Sequence, residues 1–177
     1  MNRIPSILLI LIFLFGCKST SLKKNSEFIM NDATVNLFAF IGEKISVEEF
    51  DPNENNTQIV IDSISRDTMR KVTYVMDNGF KSKYRVLKNV FNELKTDTIE
   101  FVAFDHYGRP RFEKYENVIL YISLNEEGQY YQQKYQFDPV KKSWNGTWKG
   151  LDGKSIERLF YDRKKEVLID RGLFDDK

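Results

Sequence analysis

The stretch Phe80 to His106, FKSKYRVLKNVFNELKTDTIEFVAFDH, predicts two long antiparallel strands joined by a polar turn over 92–97. In its first arm, aromatic and aliphatic residues alternate with basic residues such as Lys81 and Lys83, which is the pattern of a strand with one solvated face. In its second arm, apolar residues come to occupy both faces, so we expect that end to be covered on both sides. We expect Glu100 to lie across from the basic face of the first arm.

The chain before this hairpin contains further β-like segments. Apolar alternation predicts a long strand over 35–50, with Gly42 in its middle at a bulge or bend. Two shorter runs follow, over 59–64 and 72–76. Asp77-Asn78-Gly79 has the composition of a two-residue hairpin turn, which would pair the second run with the arm that begins at Phe80.

The chain after the hairpin predicts more strands and then a helix. Spacing and turn composition indicate one helical turn over 111–116 and strands over 118–124 and 129–137. A second hairpin turn follows at Asn145-Gly146. The last segment changes to helical spacing. Ser155 can cap a helix over 155–171, and Gly172 can close it with Leu173 packing back.

The N-terminus carries a processing signal. Arg3 precedes the apolar run Ile7 to Phe15, which is shorter than the roughly 20 apolar residues that a membrane-spanning helix needs. The run ends in Leu14-Phe15-Gly16-Cys17, which resembles the lipobox of bacterial lipoproteins. The resemblance implies cleavage after Gly16 and a diacylglycerol group on Cys17. A plain signal peptide with a free Cys17 thiol is the alternative.

This interpretation divides the chain into three parts. We expect a signal peptide over 1–16, a lipidated tether over 17–34, and a single β-barrel domain with its C-terminal helix over 35–177. Cys17 is the only cysteine, and a lone thiol in an oxidising compartment has no intramolecular partner, so lipid attachment is its simplest use.

Charge excludes one class of partner. Cleavage would remove Arg3, one of 27 basic residues against 26 acidic residues, and would leave a neutral chain. Such a chain has no basic surplus for nucleic acid. Its membrane contact would come from acyl chains, of which two or more are needed for a stable anchor. We expect a protein of the bacterial cell envelope, held at the periplasmic face of the outer membrane.

Four of the predicted strands have a counterpart in a known family. The segments 40–47, 83–91, 97–104 and 116–121 resemble the first four strands of netrin-like domains, which are also called tissue-inhibitor-of-metalloproteinase-like domains. The resemblance implies a mainly β fold: an OB-like antiparallel β-barrel with a helix packed on it, covering about 35–137.

The sequence also departs from the netrin-like pattern in several places. The segment 57–76 would be an inserted hairpin, and counting it as part of the sheet gives a larger up-and-down barrel or a sandwich as the alternative. The family's disulfide cysteines are absent. Inhibitors of the family bind a protease zinc through a free N-terminal cysteine amine. In lipoproteins the new terminal amine is often acylated as well, and Cys17 would be separated from the barrel by the tether, so metalloprotease inhibition is not implied.

The sequence offers little catalytic chemistry. His106 is the only histidine, and the motifs of serine hydrolases, paired cysteines and phosphate-binding loops are missing. The acidic residues Glu48, Glu49, Asp51 and Glu54 do not have the spacing of an EF-hand loop. We therefore expect no metal, no cofactor and no catalytic residue.

Aromatic side chains are the best candidates for binding. Trp144 and Trp148 flank the predicted tip at Asn145-Gly146, and with Tyr130 they form the predicted binding surface. We expect a non-enzymatic envelope lipoprotein that binds a protein or a glycan. The alternative is a lipid-anchored hydrolase that acts on envelope glycan through dispersed carboxylates.

Overall fold

The computed structural model describes residues 30–54 and 56–175, so the predicted signal peptide, Cys17 and most of the tether lie outside the described residues. Within this part the fold is mainly β, with one C-terminal helix, and no helix in it is long and apolar enough to span a bilayer. The strands are β1 (Phe38–Phe50), β2 (Thr57–Ile61), β3 (Thr68–Val72), β4 (Asn78–Phe91), β5 (Thr98–Asp105), β6 (Asn117–Leu124), β7 (Tyr130–Lys142) and β8 (Trp148–Gly150).

Six of the strands form one curled antiparallel sheet, in the order β5-β4-β1-β6-β7-β8. The sheet curls far enough that β5 meets β7 in parallel at a single point, where Val102 lies opposite Tyr131. It is therefore barrel-like without being closed. Strands β1, β4, β5, β6 and β7 make a partly open five-stranded barrel of the OB type, with β2 and β3 inserted as a hairpin. The prediction of an OB-like barrel with an inserted hairpin and a C-terminal helix is confirmed.

The central hairpin has the predicted pairing. Strands β4 and β5 pair from Asn78 opposite Asp105 to Arg85 opposite Thr98, and the polar segment between the strands turns the chain. Lys83 lies directly opposite Glu100, and their charged groups are 2.8 Å apart. The expected pairing of Glu100 with the basic face is confirmed.

The predicted hairpin turn at Asp77-Asn78-Gly79 is wrong. The runs predicted over 59–64 and 72–76 correspond to β2 and β3, which lie a few residues earlier and pair only with each other in the described part of the chain. Gly79 instead lies within β4, opposite Phe50 of β1. A Cβ atom at Gly79 would lie 2.7 Å from Cζ of the Phe50 ring, so the ring requires a glycine here. The glycine serves packing and not a turn.

Strand β1 contributes to two separate cores. Leu37, just before the strand, and Ala39 and Ile41 pack under the C-terminal helix, whereas Phe40 points into the barrel interior. The register of β1 against β4 shifts between Ile41 and Gly42, so the predicted bulge at Gly42 is confirmed.

The last of three register shifts in β1 corrects one detail of the prediction. The register against β4 also slips between Lys44 and Ser46, which breaks the alternation that the sequence suggested. Ile45, predicted on the apolar face, is consequently 47% exposed. The far half of β1 thus turns from the core towards solvent.

The C-terminal helix is shorter than predicted. Helix α1 spans Ile156–Arg163 and begins at Ser155, whose Oγ accepts a hydrogen bond from the backbone N–H of Arg158 at 3.1 Å. A wider π-helical turn follows over Lys164–Leu168. Gly172 has a φ of 71°, and the next residue, Leu173, packs on the core below, as predicted.

The last five residues of the predicted tether are held against the barrel. The backbone N–H of Met30 donates to the Val90 carbonyl at 3.2 Å. The Asn92 side chain accepts from the Asp32 N–H at 2.8 Å and donates to the carbonyls of Asp32 and Leu37, both at 2.9 Å. These bonds attach the entering chain to the end of β4.

The close contact at Gly79 generates a stability prediction. Substitution Gly79→Ala places a methyl group against the half-buried Phe50 ring, and we expect a loss of about 1–3 kcal/mol in the free energy of unfolding, because the ring must move from its packed position. Urea denaturation measures this loss. In the Phe50→Ala background the same substitution should cost much less, since the ring is gone. An equal cost in both backgrounds would contradict the proposed contact.

Candidate functional site

The three aromatic residues of the predicted binding surface do not lie together. Trp144 is 99% exposed at the turn between β7 and β8. Trp148, in β8, is partly buried against the core under α1, with Lys142 Nζ 5.7 Å from the centre of its ring. Tyr130 begins β7 at the opposite end of that strand, edge-on to Phe38 with 5.6 Å between ring centroids. Of the three, Tyr130 lines the cleft described below.

The other residues noted in the sequence have local partners. His106 Nδ1 lies 3.2 Å from Asp77 Oδ1. The hydrogen bond from the Lys134 ammonium group holds the pKa of the Asp77 carboxyl below its usual range, and the neighbouring His106 lowers this pKa to a smaller extent. No group of three or more potential metal ligands occurs among residues 30–54 and 56–175.

The acidic residues near the end of β1 also separate in space. The Asp51 carboxylate accepts a hydrogen bond from the Asn53 N–H at 2.8 Å, and Glu49 lies 3.8 Å from Arg109 Nη1. The first contact stabilises the loop after β1, and the second pairs the charge of Glu49. Glu48 alone of the four faces the cleft described next.

A cleft of about 580 Å³ lies on the outer face of β1, β4 and β5, and the turn between β6 and β7 closes one side of it. Its volume falls within the range of ordinary small-ligand sites. The lining residues come from these three strands and that turn: Ser46, Glu48, Lys81, Ser82, Lys83, Glu100, Phe101, Val102, Gly128, Gln129 and Tyr130.

Strand alternation places the charged residues of this cleft. In β4 the inward positions carry Phe80, Ser82 and Tyr84, all of them buried, so Lys81 and Lys83 lie on the outer face. Register then brings a carboxylate opposite each lysine. Glu48 of β1 lies opposite Lys81, and Glu100 of β5 lies opposite Lys83.

The charges of the cleft balance one another. Two carboxylates and two ammonium groups line it, and the hydrogen bond from Lys83 holds the pKa of the Glu100 carboxyl below its usual range. Ser46 and Gln129 add neutral hydrogen-bonding groups, while Val102 adds apolar surface. With the Tyr130 ring, this combination suits a hydroxyl-rich neutral ligand, which needs donors, acceptors and an aromatic platform.

Sequence reasoning identified one side of the cleft and missed its closure. It placed Glu100 across from the basic face that contains Lys83 and selected Tyr130, but it gave no reason to bring Tyr130 near them. That closeness depends on the contact between β5 and β7 at Val102 and Tyr131. A single bridge between strands so far apart in the chain leaves no periodic signal in either one.

Comparisons with protein-family models, curated proteins and solved structures give no match for this chain.

The ion pair in the cleft predicts a shift in a titration curve. In Lys83→Ala we expect the pKa of Glu100 to rise towards its ordinary value, because the ammonium group that stabilises the charged carboxylate is removed. A ¹³C NMR titration of the glutamate carboxyl carbons measures this pKa. The matched variant is Lys81→Ala, which removes a lysine from the same face. Its neighbour on β5 is Val102 and not Glu100, so the pKa of Glu100 should stay low. An unchanged pKa in Lys83→Ala would show that the pair does not form in solution.

Proposed function

We propose that this chain is a non-enzymatic binding protein of the bacterial cell envelope, anchored through a lipidated Cys17, and that it binds a glycan in the cleft of β1, β4 and β5. The position of the cleft carries the proposal. It lies on the second and third barrel strands, beside the loop that joins the fourth to the fifth. OB barrels bind oligosaccharides and oligonucleotides at this place.

The charge of the cleft favours a sugar over a nucleic acid. A nucleic-acid site gains its affinity largely from basic side chains that neutralise phosphates. Here Glu48 and Glu100 offset Lys81 and Lys83, so a polyanion would gain little. A neutral glycan can use the same four side chains as hydrogen-bond donors and acceptors, and Tyr130 can stack on a sugar ring. An envelope protein is the alternative ligand.

Hydrolysis of the glycan is the second candidate, because two carboxylates face the cleft. A glycosidase needs one of its carboxyl groups protonated near neutral pH, which requires a raised pKa. The pKa of Glu100 is shifted the other way by Lys83, and the Glu100 side chain is largely exposed. Glu100 is therefore unsuited to the role of general acid, and a hydrolase would have to take that proton from Glu48.

The anchor belongs to the same proposal. Met30 is fixed to the end of β4, so residues 17–29 would connect the acyl groups to the barrel. A link of 13 residues spans at most about 45 Å when fully extended, and it would keep the barrel within that distance of the periplasmic face of the outer membrane. An envelope polysaccharide near that membrane face could then reach the cleft.

The anchor predicts lipid labelling that depends on one residue. In cells fed a labelled palmitate analogue, we expect the parent chain to carry label and to remain in the membrane fraction. Cys17→Ser should lose both, because it has no thiol to acylate. The Trp144→Ala chain serves as a control and should label normally. A parent chain without label would refute the lipoprotein assignment while leaving the cleft untested.

The cleft predicts glycan binding that depends on Tyr130. With chain lacking residues 1–17, calorimetric titration of soluble peptidoglycan fragments and envelope polysaccharides should reveal one saturable ligand. Tyr130→Ala should weaken its binding by about tenfold or more, since loss of an aromatic platform costs on the order of 1–3 kcal/mol. Trp144→Ala is the matched control, because it removes an exposed aromatic side chain outside the cleft.

Three outcomes would contradict this proposal. Loss of binding in Trp144→Ala but not in Tyr130→Ala would place the site at the β7–β8 turn. Binding of an envelope protein through Tyr130, with no response to any glycan, would favour the alternative ligand. Turnover of the glycan that disappears in Glu100→Gln would make the chain a hydrolase.

A further inference from the structure

A second cavity lies at the C-terminal end of β5, apart from the glycan cleft. Its volume is about 410 Å³. It is bounded by the end of β5, by the 3₁₀ turn Arg111–Lys114 and by the middle of β7. No residue lines both this cavity and the cleft. We call it the Asp105 cavity, after the carboxylate in its wall.

Asp105 is buried without a cation. The residue is only 6% exposed, and its Oδ1 accepts one hydrogen bond, from the backbone N–H of Tyr107 at 2.8 Å. Within the described residues no lysine, arginine or histidine forms an ion pair with it. A buried carboxylate is costly unless a positive or hydrogen-bonding group compensates it. The local turn satisfies Oδ1 and leaves Oδ2 for a donor in the cavity.

The opposite charge is present in the same wall, also without a partner. Arg111 and Lys114 line the cavity, and neither forms an ion pair with any described carboxylate. Arg109, which also lines it, differs because it is neutralised by Glu113, 2.8 Å away. The cavity therefore presents one buried negative group and two available positive groups.

Aromatic rings complete the wall. Tyr107 and Tyr135 lie with their ring centroids 6.2 Å apart, and Phe112 forms the buried floor. Tyr135 adopts a φ of 67°, a left-handed conformation that costs a residue with a side chain on the order of 1–2 kcal/mol. Lys134 Nζ already lies 5.2 Å from the centre of the Tyr135 ring. The Tyr107 ring is therefore the one left to attract an ammonium group, because an aromatic face carries negative charge.

We propose that the Asp105 cavity binds a small zwitterion of the amino-acid class, free or at the end of a short peptide. The ammonium group of the ligand donates to Asp105 beside the Tyr107 ring. Its carboxylate lies at Arg111 and Lys114, and its apolar part covers Phe112. This site is independent of the proposed glycan cleft and does not need the lipid anchor.

Three probes that differ by one charged group test this assignment. The probes are L-phenylalanine, phenethylamine, which lacks the carboxylate, and 3-phenylpropionate, which lacks the ammonium group. Each is titrated into chain lacking residues 1–17, and backbone amide shifts around Asp105 and Arg111 are followed by NMR. We expect L-phenylalanine to bind most tightly, by about tenfold or more over either analogue, because it alone satisfies both ends.

Substitutions separate the two ends of the ligand. Asp105→Asn should weaken L-phenylalanine and phenethylamine by about tenfold and leave 3-phenylpropionate nearly unchanged. Arg111→Ala combined with Lys114→Ala should weaken L-phenylalanine and 3-phenylpropionate instead. Trp144→Ala, a residue outside the cavity, should change nothing.

Two results would overturn the proposal. The first is the absence of any saturable shift with L-phenylalanine up to solubility. The second is equal affinity of the parent chain for the three probes, a comparison that holds even if Asp105→Asn does not fold. Failure here would leave the glycan cleft unaffected, because the cleft is tested with other ligands and through Tyr130.

Discussion

The structure depends on β1 being paired along both edges while its two faces supply different cores. The strand lies between β4 and β6, so it cannot shift without disturbing the whole sheet. Gly42 makes this arrangement possible: a Cβ atom there would lie 2.9 Å from the Phe40 ring and 3.0 Å from the Tyr84 ring. The bulge at this glycine bends the strand, and the bend curls the sheet until β5 approaches β7. Both cavities line the seam that this approach creates.

The parts of the fold that were predictable are those with local signals. Strands β4 and β5 were evident because alternation, the polar turn and the facing charges of Lys83 and Glu100 all agree over one short stretch. The start of α1 was evident because Ser155 is a favourable cap. The turn at Gly79 was wrongly predicted because a glycine covered by the Phe50 ring and a glycine in a turn look alike in sequence. Their difference lies in a residue nearly thirty positions away.

The sites were less predictable than the fold, because burial and distant pairing decide them. Tyr130 was predicted for its aromatic ring, yet it lines the cleft because β5 approaches β7. No periodicity in the sequence links these two strands. At the end of β5, His106 is the residue that stands out in the sequence, because it is the only histidine. The buried charged residue that no cation pairs with in the described structure is its neighbour Asp105. Trp144 and Trp148 look equivalent beside their turn, but only Trp148 packs on the core. Side-chain chemistry alone does not distinguish these cases.

The hydrogen bonds of Asn92 have a mechanical consequence. They fix residues 32–37 just before β1 begins, so a load applied through the N-terminal segment enters the barrel lengthwise along its central strand. The bonds of an antiparallel pair lie perpendicular to the strands, and such a load would shear many of them at once instead of unzipping them singly.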